Sequence, residues 1–278
     1  MIKKKIKDYG GKVMAIITTR YNSNCLGGFV TFTAVIPFED FGENFLDPNP
    51  HPYEASQPLR TLYLLHGVTG DEKDWLYGTR IERYAIENKI AVIMPDGNNN
   101  FYIDNCETEK WGEFIGKELV EVTRTLFPLS HKREDTYIGG LSMGGYGALR
   151  NGLKYGETFS KIIALSSALI TYDVPNYTDE APIAWQKKAY AERMFGDITK
   201  VEGSDIDPEQ LYKDCKNDIK IFLAIGTEDF LYNHNLRYKE FLTAQGANLT
   251  YVEEPGAHEW DFWDRNILRG IKWLNEDK

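Results

Sequence analysis

Cysteine is scarce, long apolar runs are missing and positive charge is in deficit, and each shortage removes a class of protein. The three cysteines, Cys25, Cys106 and Cys215, are odd in number and widely spaced, with no CxxC pair. That pattern supplies neither a disulfide framework nor a zinc knuckle, and the thiols read as free. No apolar stretch approaches the roughly 20 residues that a spanning helix requires, so no membrane partner is expected. The basic run from Lys3 to Lys7 is followed by only a short apolar stretch, Val13 to Ile17, which continues into Thr18, Thr19 and Arg20. This is a poor match to a secretory signal, and a cytoplasmic protein is expected. Against 42 acidic residues stand 32 basic ones, a formal net charge of −10. Such a balance repels phosphate backbones, so nucleic acid is not an expected partner. The chain also has no HExxH, no Walker loop and no strand-linked GxGxxG with an acidic partner, which leaves metal and nucleotide chemistry without a foothold. No cofactor and no metal are expected.

What the sequence does contain is enough material for one sizeable core: 278 residues, 42% hydrophobic and 27% charged, close to ordinary soluble domains. A single domain over residues 1–278 is the expectation. Val13 to Arg20 and Gly27 to Pro37 are rich in Val, Ile, Thr and Phe with partial alternation, and predict an antiparallel pair at a sheet edge. Phe38 to Pro58, dense in Pro, Asn, Asp and Gly, reads as a surface loop. From Thr61 onward short apolar runs alternate with amphipathic segments. Thr61 to Leu65, Ile90 to Met94, Thr136 to Ile138, Lys161 to Leu165 and Ile219 to Ile225 read as buried parallel strands, with Leu249 to Val252 after them. Trp111 to Leu126 carries Phe114, Ile115, Leu119, Val122 and Leu126 at helical spacing and stops at Pro128. The alternation implies a doubly wound α/β sheet, whose ligands bind at the carboxyl ends of the strands. One segment, 171–215, lacks a convincing strand, includes a helix-like stretch from Trp185 to Phe195, and is expected to be a cap-like insertion.

The chemistry concentrates at Gly140-Leu141-Ser142-Met143-Gly144, a GxSxG placed after a strand and before a helix. A serine hydroxyl is a weak nucleophile at neutral pH and needs exposure on a sharp turn, beside a base. The Met143 backbone N–H would then face the oxygen that gains charge in a tetrahedral intermediate. A second donor is expected from Leu64-Leu65-His66-Gly67-Val68, with Val68 assigned and Thr69 as the alternative. Chain order in this arrangement runs nucleophile, acid, histidine. His51, His66 and His131 precede Ser142 and His234 falls in a helical-looking segment, so His258 fits as the base. The acid is expected in Gly226-Thr227-Glu228-Asp229-Phe230; Asp229 is preferred, with Glu228 as the structural neighbour or alternative acid. Trp75, Phe101, Tyr102, Trp185 and Trp260 are candidates for the walls of a substrate pocket.

Four segments, LLHGVTGDEKDW (Leu64 to Trp75), GGLSMGGYGAL (Gly139 to Leu149), GTEDF (Gly226 to Phe230) and GAHEWDFW (Gly256 to Trp263), occur in this order. With them the chain resembles the esterase D and carbohydrate esterase family 1 branch of the α/β hydrolases, particularly small bacterial tributyrin-type esterases, over about residues 61–274. The resemblance implies an α/β-hydrolase fold: a central, mostly parallel sheet with helices on both faces and an antiparallel amino-terminal edge. It further implies a serine carboxylesterase acting on short acyl groups, whose substrate is a small-molecule or oligosaccharide ester. Relatives in this branch remove acetyl or feruloyl groups from plant polysaccharides, and others hydrolyse S-formylglutathione. The resemblance carries Ser142, Asp229 and His258 into a triad and Val68 and Met143 into an oxyanion hole, and it suggests self-association into a homo-oligomer. S-formylglutathione hydrolases usually show SGLTC where this chain has HGVTG, a departure that speaks against glutathione thioester chemistry. Transfer of the acyl group to an alcohol, and a non-catalytic binding role on the same scaffold, are the competing readings.

Overall fold

The computed structural model describes residues 12–40 and 58–276. Eight strands form one sheet: β1 (Lys12–Ser23), β2 (Gly28–Asp40), β3 (Arg60–Leu65), β4 (Ile90–Pro95), β5 (Thr136–Leu141), β6 (Lys161–Leu165), β7 (Lys220–Gly226) and β8 (Asn248–Glu254). Their spatial order is β1-β2-β4-β3-β5-β6-β7-β8. The β1–β2 hairpin is antiparallel, and β2 joins β4 antiparallel, while every other pairing is parallel. The fold is therefore the α/β-hydrolase arrangement with an antiparallel edge.

The core follows from strand periodicity. Successive side chains point to opposite faces, so Leu62 and Leu64 enter one hydrophobic cluster while Tyr63 and Leu65 enter the other. Because both faces are covered, the central strands read as unbroken apolar runs rather than alternating ones. The helices are α1 (Asp74–Gly78), α2 (Ile81–Glu87), α3 (residues 111–126), α4 (Met143–Lys154), α5 (Lys188–Phe195), α6 (Pro208–Asp214), α7 (Tyr232–Ala244) and α8 (Trp260–Trp273). Residues of α2 and α8 pack in the cluster with Leu62, and residues of α3, α4, α5 and α7 in the cluster with Tyr63.

Several sequence expectations need adjustment. The loop expected from Phe38 begins later, because β2 continues through Asp40, which pairs with Lys12; residues 41–57 and the Lys3 to Lys7 run lie outside the described residues. Strand β5 runs on past Ile138 through Gly139 and Gly140, which pair with Leu64 and Leu65 of β3. Helix α3 is not a uniform α-helix: Trp111–Glu113 and Leu119–Leu126 flank a π-helical turn at Phe114–Glu118. A side chain at Gly116 would strike the Tyr155 ring, so this wide turn lies directly on the end of α4. The helical stretch expected from Trp185 splits into a short 3-10 turn, Ala184–Gln186, and α5, because Lys187 between them is extended. Among the described residues no helix is long and apolar enough to cross a membrane.

Between β6 and β7 the chain holds 3-10 turns, α5 and α6, with no strand between them. This segment is fastened to α4. The buried Arg150 guanidinium donates to the Asp205 carbonyl (3.0 Å) and carboxylate (2.7 Å), and the Tyr146 hydroxyl donates to the Ile206 carbonyl (2.6 Å).

Two glycines set how closely α4 can approach the sheet. A Cβ on Gly140 would collide with the Gly144 carbonyl, and one on Gly144 would collide with the carbonyls of Leu65 and His66. These obstacles are backbone and cannot swing aside. Gly144→Ala is expected to lower stability by about 1–3 kcal/mol or more, whereas Gly203→Ala, which meets only backbone strain at φ +74°, should cost roughly 1 kcal/mol. Urea midpoints of the two variants check the ranking.

Candidate active site

The site lies at the carboxyl ends of β3, β5, β6, β7 and β8. Ser142 stands between β5 and α4 with φ 54° and ψ −119°, a conformation that a residue with a side chain rarely adopts. Its backbone is nonetheless fully bonded: its N–H donates to the Leu165 carbonyl (2.9 Å), and its carbonyl accepts from Ala168 (2.9 Å) and Tyr146 (3.1 Å). Fixed this way, the bend projects the Ser142 hydroxyl toward His258, with Oγ 3.1 Å from Nε2. The opposite ring nitrogen, Nδ1, lies 2.9 Å from Asp229 Oδ2. A carboxylate can only accept, so the imidazole proton belongs on Nδ1, leaving Nε2 free to accept from the hydroxyl.

Asp229 is held from several sides. Burial by itself raises its carboxyl, but the His258 ring, the Leu231 N–H (2.8 Å) and the Ser166 hydroxyl outweigh that and keep it below the usual carboxylate range. Ser166 in turn accepts from the Trp263 indole N–H (3.1 Å). The His258 ring packs against two aromatic rings, Phe230 at 4.6 Å and Trp263 edge-on at 4.9 Å. Glu228 plays a different part, accepting the Gly256 N–H (2.5 Å) while its own N–H donates to the Gly256 carbonyl (3.0 Å). It ties the acid loop to the histidine loop, and the carboxylate that meets the imidazole is Asp229.

The turn after β3 presses on the same bend, since a side chain at Gly67 would contact Leu141 and Ser142. His66 is buried there, with Nδ1 2.7 Å from the Gly67 carbonyl and Nε2 accepting the Gly97 N–H (2.9 Å). The Thr69 N–H donates to Asn99 Oδ1 (2.7 Å). Among the described residues the Val68 and Met143 N–H groups meet no acceptor.

Of the five aromatic candidates for a pocket wall, Trp75, Phe101 and Tyr102 are buried. The Trp75 indole donates to the Leu65 carbonyl (3.0 Å), and Trp260 packs edge-on against both Trp75 and Trp263. Trp185 alone of the five lines a groove of about 620 Å³, together with Phe29, Asn98, Asn99, Asn100 and Arg193. Among the described residues, Cys106 Sγ lies against Thr108 and Cys215 Sγ against the Asn217 carbonyl, away from Ser142, His258 and Asp229. Burial and the Glu118 carboxylate push Cys25 up to about 12, which keeps it protonated at neutral pH.

Sequence reasoning did not find Ser166, Trp263, the Glu228 tether or the Asn99 contact. Ser166 was within reach of the rule that sites collect at strand ends, because it directly follows β6.

A doubly wound sheet with a strained serine between strand and helix, facing a histidine and a buried carboxylate, defines a serine hydrolase of the α/β-hydrolase fold. Residues 44–274 match the Esterase family, described as "Putative esterase", and the chain belongs to that family; it is a serine ester hydrolase. An acetyl esterase of Caldicellulosiruptor saccharolyticus is 41% identical over 268 residues, covering 95% of this chain and 99% of the relative. Among solved structures, the fluorophosphonate-binding serine hydrolase FphF of Staphylococcus aureus is similar at 32% identity and TM-score 0.80, over 94% of this chain and 98% of that one. The S-formylglutathione hydrolase FrmB of the same organism is similar at 32% identity and TM-score 0.79, over 94% and 99%.

The lowered Asp229 value has a sign that can be measured. An unfolded aspartate titrates near about 4, so the folded carboxylate stabilises the protein above that pH and loses its contribution as the pH falls through the lower folded value. The stability difference between wild type and Asp229→Asn should shrink as the pH falls below about 4. Urea titrations in the acid range where the carboxylate titrates check it, and a difference that grew there on further acidification would reverse the assignment.

Proposed function

We propose that this esterase hydrolyses short-chain acyl esters through an acyl-enzyme on Ser142. The observation that carries the reading is the continuous line of contacts from the Ser142 hydroxyl through His258 to Asp229, at 3.1 and 2.9 Å. In the first step Ser142 Oγ attacks the ester carbonyl while His258 Nε2 takes the hydroxyl proton. Asp229 accepts the Nδ1–H, fixes the ring and stabilises the imidazolium. The carbonyl oxygen, gaining charge, is met by the Val68 and Met143 N–H groups, the second at the amino end of α4. Thr69, the other candidate donor, is already engaged by Asn99. His258 returns the proton to the departing alcohol, and water then repeats the sequence on the acyl-enzyme. The acetyl esterase relative supports a short acyl group.

On the alcohol side, the groove beside the turn after β3 favours a carbohydrate. It offers the Phe29, Trp185 and Tyr190 rings beside Asn98, Asn100, Glu109 and Arg193, flat faces and hydrogen-bonding groups of the kind that hold a sugar. In this reading the 171–215 segment acts as a cap, because it supplies Trp185, Tyr190 and Arg193.

Ser142→Ala is expected to reduce turnover of nitrophenyl acetate by a factor of roughly a thousand to a million, and activity near wild type would remove the serine from the mechanism. Asp229→Asn should be severe and Glu228→Gln mild, measured as kcat/KM; the reverse order would exchange the two carboxylates. A comparison of nitrophenyl acyl esters, acetylated xylo-oligosaccharides, methyl ferulate and S-formylglutathione tests the substrate. Preference for acetylated sugars is the expected result, and preference for the thioester would displace it.

A further inference from the structure

We propose that Asn99 is a positioning residue that selects which backbone N–H of the turn after β3 faces the reacting carbonyl. The inference rests on the reading of Val68 as an oxyanion donor. Two consecutive groups compete for that place, Val68 N–H and Thr69 N–H. They belong to adjacent peptide units, so a rotation within the turn can exchange the one aimed at substrate for the other.

The loop after β4 grips this turn at two points on either side of Val68. At the first, His66 is wedged by the Gly97 N–H on Nε2 (2.9 Å) and by its own Nδ1–H donating to the Gly67 carbonyl (2.7 Å). The Tyr102 hydroxyl adds a bond to the His66 carbonyl (3.0 Å). At the second, the Asn99 side chain accepts the Thr69 N–H (2.7 Å). Thr69 has φ 68°, unfavourable for a β-branched residue. One bond closes the turn internally, from the Gly70 N–H to the Gly67 carbonyl (3.2 Å). That bond does not engage the strained Thr69 itself, whose N–H is held from outside the turn by Asn99 Oδ1. By engaging Thr69 N–H, Asn99 takes one competitor away from the substrate and leaves the Val68 N–H, which meets no acceptor among the described residues, as the group available to the reacting carbonyl.

Such a contact acts on rate rather than on binding. An oxyanion donor is effective because it is already in place when charge develops, and losing its alignment costs transition-state stabilisation without changing how the neutral ester is held. The His66 grip is buried and part of the core, but Asn99 is half-buried, so it can be altered without threatening the fold. Asn99 also lines the 620 Å³ groove, and a plain substrate contact or groove filler is therefore the rival to be told apart.

Two substitutions separate these roles. Asn99→Ala removes both the acceptor and the side-chain volume, whereas Asn99→Leu keeps the volume and removes the acceptor. Both variants are expected to lower kcat for nitrophenyl acetate by about tenfold, with KM within about twofold of wild type. An alkylboronic acid, whose tetrahedral adduct on Ser142 places an oxygen in the hole, should bind more weakly by the same factor as kcat/KM falls. Covalent labelling of Ser142 by a fluorophosphonate establishes that each variant is folded. Wild-type kcat in both variants overturns the proposal, as does a rise in KM alone, or a loss in the alanine variant that the leucine variant restores. Failure of the underlying mechanism is read separately, from turnover that survives Ser142→Ala; an inactive Ser142→Ala beside wild-type Asn99 variants discards only the role of Asn99.

Discussion

The bend at Ser142 is the constraint on which the rest of the site depends. A left-handed φ at a residue with a side chain costs on the order of 1–3 kcal/mol and persists only where the surroundings over-determine it. Here they do so from two directions. Both backbone polar groups of Ser142 are bonded to the segment that ends β6 and begins the next loop, or to the first turn of α4. The glycines at 140 and 144 let the helix and the β3 turn close on the bend from the other side. The GxSxG pattern is thus a packing requirement before it is a chemical one: two missing side chains make room for one misplaced backbone.

Around that bend the remaining groups arrive on neighbouring parallel strands. β7 delivers Asp229 and β8 delivers His258, and the register that pairs Gly226 with Glu254 brings their loops together. A side chain at Gly226 would collide with the Gly256 backbone, and Glu228 stitches the same two loops. From β6 comes Ser166, which passes the Trp263 indole bond on toward the acid. Each contributor is a loop short enough to inherit the rigidity of its strand, which is how an open sheet achieves the placement that proton transfer demands.

Much of this was legible in the sequence because it rests on local rules. Strand-to-helix context singles out Ser142, chain order singles out His258, and short apolar runs mark the strands that carry both. The choice between Asp229 and Glu228 was harder, since adjacent residues share every sequence-level property. The turn separates them in space, sending the Asp229 side chain inward to His258 and the Glu228 side chain outward to the Gly256 N–H. Ser166 and Asn99 were invisible for a related reason. Each acts through a contact with a residue distant in sequence, and a serine in Leu-Ser-Ser-Ala or an asparagine in Gly-Asn-Asn-Asn has no periodicity to reveal it. The aromatic candidates divide, because a ring suits a pocket wall and a core equally well: Trp185 lines the groove, whereas Trp75 and Tyr102 belong to the core, where their polar tips hold the backbone around His66.

The distance along the chain between Ser142 and His258 has a consequence for how the protein comes into being. Ser142 and His258 are 116 residues apart, and Asp229 precedes His258 by 29, while Trp263, which braces both the imidazole and Ser166, belongs to α8 at the far end. A chain folded only through the strained serine and its helix therefore lacks the imidazole and the carboxylate that line up with it. In the proposed mechanism hydrolysis waits until β8 and α8 have docked, so that activity arrives in one step of folding rather than growing with the length of chain made.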